Sequence, residues 1–399
     1  MLYLFRLPRG QEIDTGAPVE PYWEKLHDLL RRQLIEWTGD AEALPPTAAD
    51  MRASYAPMTP WRRAYNGLLW VEDGTRPEDI TDPTIIVSER EPQTLVGRAE
   101  LDWSTDSNLD TLELGLYTIA EFRRRGIGTA ALRWALDQSR TMGRPLVECY
   151  APAVPASGPT AIAAPTGGAI DSTTPGTAFA RARGFRLTHV EMAARLEPLE
   201  RYGPAEALTR IRGMRGEAED CGYELITWSG QPPRELAEDV ADMFTGFGRD
   251  MPAPEGSDRE VYDVAKAAEE IGKTIDRGYD VIFAAARNPD TAELVGYTMM
   301  MLRRGTHSAH QQDTWVHPDH RGRRLSWHLK VANLIAALSR PDPPHQLTTY
   351  IAEENASMWA INHALGFRPR EAVVCWKARR EDIEEALASG AGNGGADER

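Results

Sequence analysis

The sequence predicts an α+β fold made of two tandem domains, each a mixed twisted sheet flanked by helices. Three observations lead there. The chain has 399 residues, long for a single hydrophobic core. Three landmarks recur in the same order along it: "LVG" at Leu95–Gly97 and at Leu294–Gly296, an arginine-rich stretch starting at Arg123 and at Arg321, and a Gly-Phe pair at Gly184-Phe185 and Gly366-Phe367. Between the landmarks, short strand-like runs are interleaved with helix-period segments, the pattern of a sheet covered by helices.

In the first half an opening strand covers about residues 2–7, "LYLFRLP", and helical segments follow near 21–37 and 48–55. Three strands come next, "PTIIVSE", "TLVGRAELDW" and "TLELGLYTI". The arginine-rich stretch "RRRGIGTA" then opens a helix over 126–141, ended by Gly143. A further strand leads into residues 151–175, whose Pro, Gly and Ala content reads as a long loop present in this half only. A short helix into Gly184-Phe185 and a last strand complete the half.

The second half repeats the plan with an opening strand at about 222–228 and helices near 233–245 and 257–276. Its three strands are "DVIFAAAR", "ELVGYTMMML" and "HQQDTWVH", and its loop helix spans about 323–339, ended by Pro341. The expected domains are therefore 1–196 and 221–388. A partly helical linker is expected at 197–220, and a disordered tail at 389–399, "SGAGNGGADER".

Composition restricts the function classes. The chain is 42% hydrophobic and 26% charged, and no apolar run approaches the roughly 18 residues of a membrane span. The apolar patch in "MLYLFRLPRG" is too short for a signal-peptide core. Cys149, Cys221 and Cys375 are odd in number and far apart, which excludes a disulfide framework and a Cys-x-x-Cys metal site. A cytoplasmic location is expected. The net charge of −15 repels polyanions and argues against nucleic acid as a partner, while a small polyanion can still bind where arginines cluster. Only five of the 45 basic residues are lysines.

Arginines against glycines at a helix start are a recognisable device. The first turn of a helix has unpaired N–H groups and positive potential, and Gly126 and Gly128 let a ligand approach the backbone. With Arg123, Arg124 and Arg125 this forms a phosphate or pyrophosphate cradle. A solvated basic helix start fits the six residues equally well.

The surrounding order of strands and helices resembles the GNAT superfamily of acyl-CoA-dependent N-acyltransferases. Arg123, Gly126 and Gly128 match its R-x-x-G-x-G/A signature. In the second half Val316 to Gly322 keep the V-x-P-x-H-R-G lead-in, and "NASMWAINHALGF", Asn355 to Phe367, is similar to a segment of two-domain members. The resemblance covers nearly the whole chain, and the tandem plan is similar to that of the mycothiol synthases.

The resemblance implies acetyl-CoA as co-substrate, no metal, and a small-molecule amine that attacks the thioester directly. The fourth strand of each unit would splay from the fifth around the pantetheine, and a backbone N–H at its end would stabilise the oxyanion. Those positions are Tyr117-Thr118 and Trp315-Val316. The pyrophosphate would lie on Arg123, Arg124, Arg125, Gly126, Ile127, Gly128 and Thr129. The diverged copy is Arg321, Gly322, Arg323, Arg324 and Ser326, where Arg324 and Ser326 replace both signature glycines. That difference favours the first half for CoA. Asn355 and Asn362, two helical turns apart, would form a polar wall for pantetheine or substrate, with helix capping by Asn355 as the plainer role.

General-base candidates are Glu113 and Asp313 on the fourth strands, each of which also reads as a carboxylate on an exposed sheet face. Many family members carry a tyrosine four residues before the Gly-Phe glycine as thiolate acid. Ala180 and Asn362 stand there instead. His307, His310, His317, His320 and His328 crowd together without cysteine or a His-Glu-x-x-His helix, so they read as surface and turn residues. Trp61, Trp103, Trp134 and Trp359 read as core aromatics. The expected function is N-acetyl transfer by a monomer or homodimer. A noncatalytic acyl-CoA sensor and transfer from aminoacyl-tRNA are the alternatives.

Overall fold

The structure is a computed structural model that describes residues 1–7, 21–38, 45, 47–55, 62–217, 221–250 and 259–389. In the first half the elements are β1 (Leu2–Arg6), α1 (Pro21–Thr38), α2 (Ala48–Tyr55), β2 (Arg62–Val71), β3 (Ile85–Val87), β4 (Thr94–Ser104) and β5 (Thr111–Thr118). There follow α3 (Ile127–Met142), β6 (Leu146–Ala153), β7 (Ala161–Ala163), β8 (Ala169–Asp171), α4 (Pro175–Ala182) and β9 (Arg186–Leu196). Then come α5 (Glu197–Glu217), β10 (Glu224–Ser229), α6 (Ala237–Asp250), α7 (Val264–Asp276), β11 (Tyr279–Arg287), β12 (Leu294–Arg303) and β13 (Ser308–Val316). The chain closes with α8 (Leu325–Leu338), β14 (Gln346–Ala352), α9 (Ala356–Leu365), β15 (Phe367–Arg379) and α10 (Arg380–Ala388).

Two compact units divide the chain. Unit 1 comprises residues 1–165, 169–189 and 374–399, and unit 2 comprises 166–168 and 190–373. Each sheet is thus completed by a strand segment from the other half of the sequence. Unit 1 has the strand order β3-β1-β2-β4-β5-β6, then residues 374–379 of β15 and 186–189 of β9. Unit 2 has the order β10-β11-β12-β13-β14, then residues 190–196 of β9 and 367–373 of β15. Residues 197–220, expected as a linker, carry α5, which is broken at Gly203.

Three features depart from the sequence reading. The strand β2, which pairs with β4 as β11 pairs with β12, was not expected, and β3 is a three-residue edge beside β1 rather than the counterpart of β11. The expected loop at 151–175 contains the antiparallel hairpin β7–β8. The helix α10 follows the last strand. Residues 390–399, most of the expected tail, and Trp61 lie outside the described residues.

Helices cover both faces of each sheet. In unit 2, Val240, Phe244 and Ile271 of α6 and α7 pack on Phe283 and Tyr297 of one sheet face. On the other face, Leu325, Leu329 and Ala332 of α8 pack on Ala284, Ala286, Val295 and Val316. The glycine of each "LVG" has a geometric reason. A Cβ on Gly97 would collide with the Tyr117 carbonyl, and one on Gly296 would lie 2.9 Å from the Trp315 carbonyl. Only glycine lets these strands pass so close to the ends of β5 and β13.

Candidate functional site

Both units open at the same place. In unit 1, β5 and β6 run parallel and pair only from Thr111↔Leu146 to Glu113↔Glu148, after which β5 continues to Thr118 with no strand partner on that side among the described residues. In unit 2, β13 and β14 pair from Ser308↔Gln346 to Gln311↔Thr349, and β13 continues to Val316. Because the Ile119 N–H bonds to the Val96 carbonyl, strand alternation turns the N–H groups of Leu116 and Thr118 toward the opening. The His317 N–H bonds to the Val295 carbonyl in the same way, which turns those of Thr314 and Val316 there. Thr118 and Val316, expected as oxyanion donors, therefore point into the gap. The Tyr117 N–H faces β4.

The loops that follow share one backbone path. Arg124 and Gly126 have positive φ of 62° and 80°, and Gly322 and Arg324 have 78° and 59°. The glycine sits at the second left-handed position in unit 1 and at the first in unit 2. Loss of the signature glycine therefore leaves the conformation of the second loop intact, with Arg324 in a region that disfavours side chains. Gly126 has a second constraint, since a Cβ there would lie 2.9 Å from Pro83 Cδ. Among the described residues, the N–H groups of Arg125, Gly126, Ile127, Gly128 and Thr129 have no protein acceptor, and neither do those of Arg323, Leu325 and Ser326.

The first arginine of each loop is turned to another task. Arg123 Nε donates to the Thr118 carbonyl at 3.0 Å, and its guanidinium pairs with Glu36 of α1 at 2.5 Å. Arg321 Nε donates to the Val316 carbonyl at 3.0 Å, and its guanidinium pairs with Asp250 of α6 at 2.5 Å. An aromatic side chain completes each set: Tyr117 Oη donates to Glu36 at 3.0 Å, and Trp315 Nε1 to Asp250 at 2.9 Å. Burial and the neighbouring Glu36 push the Tyr117 hydroxyl up to about 12. Burial works against the Asp250 carboxylate, but the Trp315 and Arg321 hydrogen bonds outweigh it and hold its pKa below the usual range. Arg123 and Arg321, expected on the pyrophosphate, thus lock strand end, loop and helix together. Arg124 and Arg125 remain exposed beside the open N–H groups, while Arg323 Nη1 donates to Tyr223 Oη at 2.7 Å.

The two candidate bases stand in different surroundings. Glu113 accepts from Arg62 Nη2 at 2.7 Å, and 41% of its side chain is open to solvent. Lost hydration raises its pKa despite Arg62, with smaller contributions from Asp102 and Glu148, but so open a group keeps much of its water. Asp313 lies on the α6 face of β13, where the register with β12 shifts between Thr298 and Met300. It accepts from the fully buried Tyr297 Oη at 3.2 Å. Burial raises its pKa to about 6, against the opposing hydrogen bonds from Tyr297 and the backbone. The residue keeps some accessible surface, as a group lining a cleft does. Of the two, Asp313 is the carboxylate whose pKa burial brings closer to neutrality.

Residues 48–156 match the family model described as the acetyltransferase (GNAT) family. A tandem GNAT protein from the clavulanic acid biosynthesis pathway superposes with a TM-score of 0.69 at 24% identity, over 95% of this chain and 99% of that one. The chain has the tandem GNAT fold. A GCN5-related N-acetyltransferase from Sphaerobacter thermophilus superposes with a TM-score of 0.55 at 14% identity, over 91% and 94% of the two chains. A search of the curated proteins finds no match.

The remaining predicted residues find their places in this GNAT frame. Asn355 caps α9, its Oδ1 accepting from Met358 N–H at 3.1 Å. Asn362 is fully buried, and neither side-chain polar atom has a partner among the described residues. The histidines do not gather in one place: His307 stacks on His345 and His310 faces Tyr350, while the His317 and His320 rings lie 5.7 Å apart and His320 Nδ1 meets Tyr223 Oη at 2.7 Å. Among the described residues no group of three or more His, Cys, Asp or Glu could hold a metal ion, and no helix is long and apolar enough to cross a membrane. Sequence reading missed Glu36, Asp250, Tyr297 and Arg183. Arg183 Nη2 donates to Thr129 Oγ1 at 3.1 Å and adds charge beside the first loop. Its place directly before Gly184 was the only signal available.

Proposed function

We propose that the protein is an acyl-CoA-dependent N-acyltransferase that moves an acetyl group from acetyl-CoA to a small-molecule amine. One observation carries the reading: in each unit a parallel strand pair opens beside a helix N-terminus whose first amides have no protein acceptor among the described residues. The loop amides with Arg124 and Arg125 in unit 1, and with Arg323 and Arg324 in unit 2, would hold the pyrophosphate. The inward N–H groups of Thr118 and Val316 would receive the oxyanion.

Asp313 supports unit 2 as the reacting unit. It is the candidate base whose pKa of about 6 lets it be ionised at neutral pH yet accept a proton from the amine. Unit 1 keeps the better loop for CoA, while Glu113 is held by Arg62 in a solvated position. The test is release of free thiol from acetyl-CoA against a panel of small primary amines. An Asp313→Asn variant should lower kcat by about 10²–10⁴-fold for any amine accepted by the wild type. Unchanged turnover in that variant would remove Asp313 from the reaction. Bound acetyl-CoA with no amine turned over would support the sensor reading, which the absence of tyrosine at Ala180 and Asn362 also favours.

A further inference from the structure

The two units differ beneath their openings. On the α3 face of unit 1 the positions around the gap are Ala99, Leu114, Leu116, Leu132 and Ala135, all apolar. By register and helix start, their counterparts in unit 2 are Thr298, Gln311, Thr314, Lys330 and Asn333, all polar. A core that replaces five apolar residues with polar ones loses transfer free energy at each, and the side-chain hydrogen bonds of Thr298 and Gln311 across the β12–β13 irregularity involve neither Lys330 nor Asn333. The cluster is also incompletely paired. Gln311 Nε2 donates to Thr298 Oγ1 at 2.8 Å and Asn333 Nδ2 reaches the Ile282 carbonyl at 3.4 Å, but Gln311 Oε1 and Asn333 Oδ1 have no partner among the described residues.

Lys330 is the unusual member. Of the five lysines, Lys25, Lys266, Lys273 and Lys377 each face a glutamate, at 3.1, 3.8, 2.8 and 3.3 Å. Lys330 is 2% exposed, and among the described residues it has no carboxylate partner and no charged group offsets its burial. In a chain that uses arginine for nearly all its basic residues, a lysine here is a group able to lose its proton, which arginine is not.

Helix geometry places it. Leu325, Leu329 and Ala332 pack on Ala284 and Ala286 of β11, Val295 of β12 and Val316 of β13, while Val331 and Leu334 pack with Ala309 and Leu347 toward β14. Between these two lines runs Ser326, Lys330 and Asn333, the row that looks at the sheet. Asn333 reaches the backbone of Ile282 and Thr298, and Lys330 lies one turn nearer the loop, with its side chain leaning further that way. That sets it on the loop side of the Thr298 level, beyond the Gln311↔Thr349 pair where β14 has already departed.

We propose that Lys330 is the proton donor of unit 2, protonating the departing thiol sulfur from the α8 face while Asp313 takes the proton of the incoming amine on the α6 face. The assignment rests on the reading of unit 2 as an acyl-CoA site. In the step, the amine nitrogen forms a bond to the acyl carbon and the C–S bond breaks. One proton passes from the amine to the Asp313 carboxylate, and one from the Lys330 ammonium to the thiolate. Exchange with solvent restores both groups. Lys330 would thereby fill the part left open by Asn362. Burial lowers its pKa to about 7, which leaves it able to give up a proton near neutrality.

The experiment is carbon NMR of the full-length protein labelled at the lysine ε-carbons, titrated with pH in the absence and presence of free CoA. A Lys330→Met variant assigns the signal, and calorimetry confirms that CoA is bound. The expected result is one lysine titrating near pH 7 while the other four titrate above it, and a shift of that signal on saturation with CoA. Titration of Lys330 together with the others would overturn the proposal. So would an unmoved signal with CoA bound, which would leave the acyl-CoA reading standing. Absence of CoA binding would overturn both. Covalent acetylation of Lys330 by acetyl-CoA would overturn it differently, since the amine would then be an acceptor.

Discussion

Arg123 and Arg321 show how one residue type can serve two ends in one loop. A guanidinium has five N–H donors in a fixed fork, enough to hold a strand-end carbonyl and a helix carboxylate together. Replacing Arg321 by Ala should leave the Asp250 carboxylate without its cation and the Val316 carbonyl without a donor. A loss of about 1–3 kcal/mol in a urea unfolding series is expected, larger than for Arg124→Ala on the exposed flank of the other loop. The acids and bases make sharper predictions. For Asp313, whose pKa is raised, the working form is the carboxylate, so kcat should rise with pH through about 6. Asp313→Asn should abolish that limb. Lys330 has the opposite sign. Its pKa falls from the ordinary lysine value to about 7 in the fold, so the unfolded chain binds the extra proton between about pH 7 and 10. Stability should therefore increase with pH across that window, with a slope of at most about 1.4 kcal/mol per pH unit from this group. Urea unfolding at several pH values checks this, and Lys330→Met should flatten the slope.

At the scale of elements, much of each unit was readable in the sequence. Helices α1 and α2, the strands at the "LVG" landmarks and the two loop helices stand within a few residues of their expected bounds, because periodicity and stop signals such as Gly143 and Pro341 are local properties. The strand β2 was not readable. It begins with Arg62 and Arg63 and contains Gly67, so its inward residues stand out only from Leu68 onward. Lys330 escaped notice for a related reason. The segment "LSWHLKVANLIAAL" is apolar nearly all round, which marks a buried helix, but the depth of one lysine within it depends on the sheet below. The role of Arg123 was equally hidden, since its partners Glu36 and Thr118 lie on other elements. The loops themselves make an element-scale prediction. Arg324 holds a left-handed conformation that costs a side-chain residue about 1–2 kcal/mol, so Arg324→Gly should raise the unfolding free energy by about 1 kcal/mol. Gly126→Ala should do the reverse, through both its φ of 80° and the Pro83 contact.

For the whole molecule, the division of the chain into units does not follow the halves of the sequence. Unit 1 contains residues 374–399, and unit 2 contains residues 190–196 of β9. A fragment of residues 1–196 therefore lacks the β15 segment that belongs in its sheet, which carries the buried Val374, Cys375 and Trp376. Expressed alone it should aggregate or lack cooperative unfolding, whereas co-expression with 197–399 should recover a soluble complex, as judged by size-exclusion chromatography and thermal melts. The landmarks showed the duplication because they lie inside each repeat. Strand order joins residues far apart in the chain and leaves no local mark. Through the duplication both loops keep the same left-handed positions although their glycines differ, a geometry suited to an acyl-CoA pyrophosphate. Calorimetric titration of acetyl-CoA into the wild type, Gly126→Glu, Ser326→Glu and the double variant tests it most directly. The account predicts two sites per chain, one lost in each single variant and both lost in the double. A folded wild type that takes up no acetyl-CoA, or a double variant that binds as the wild type does, would contradict it.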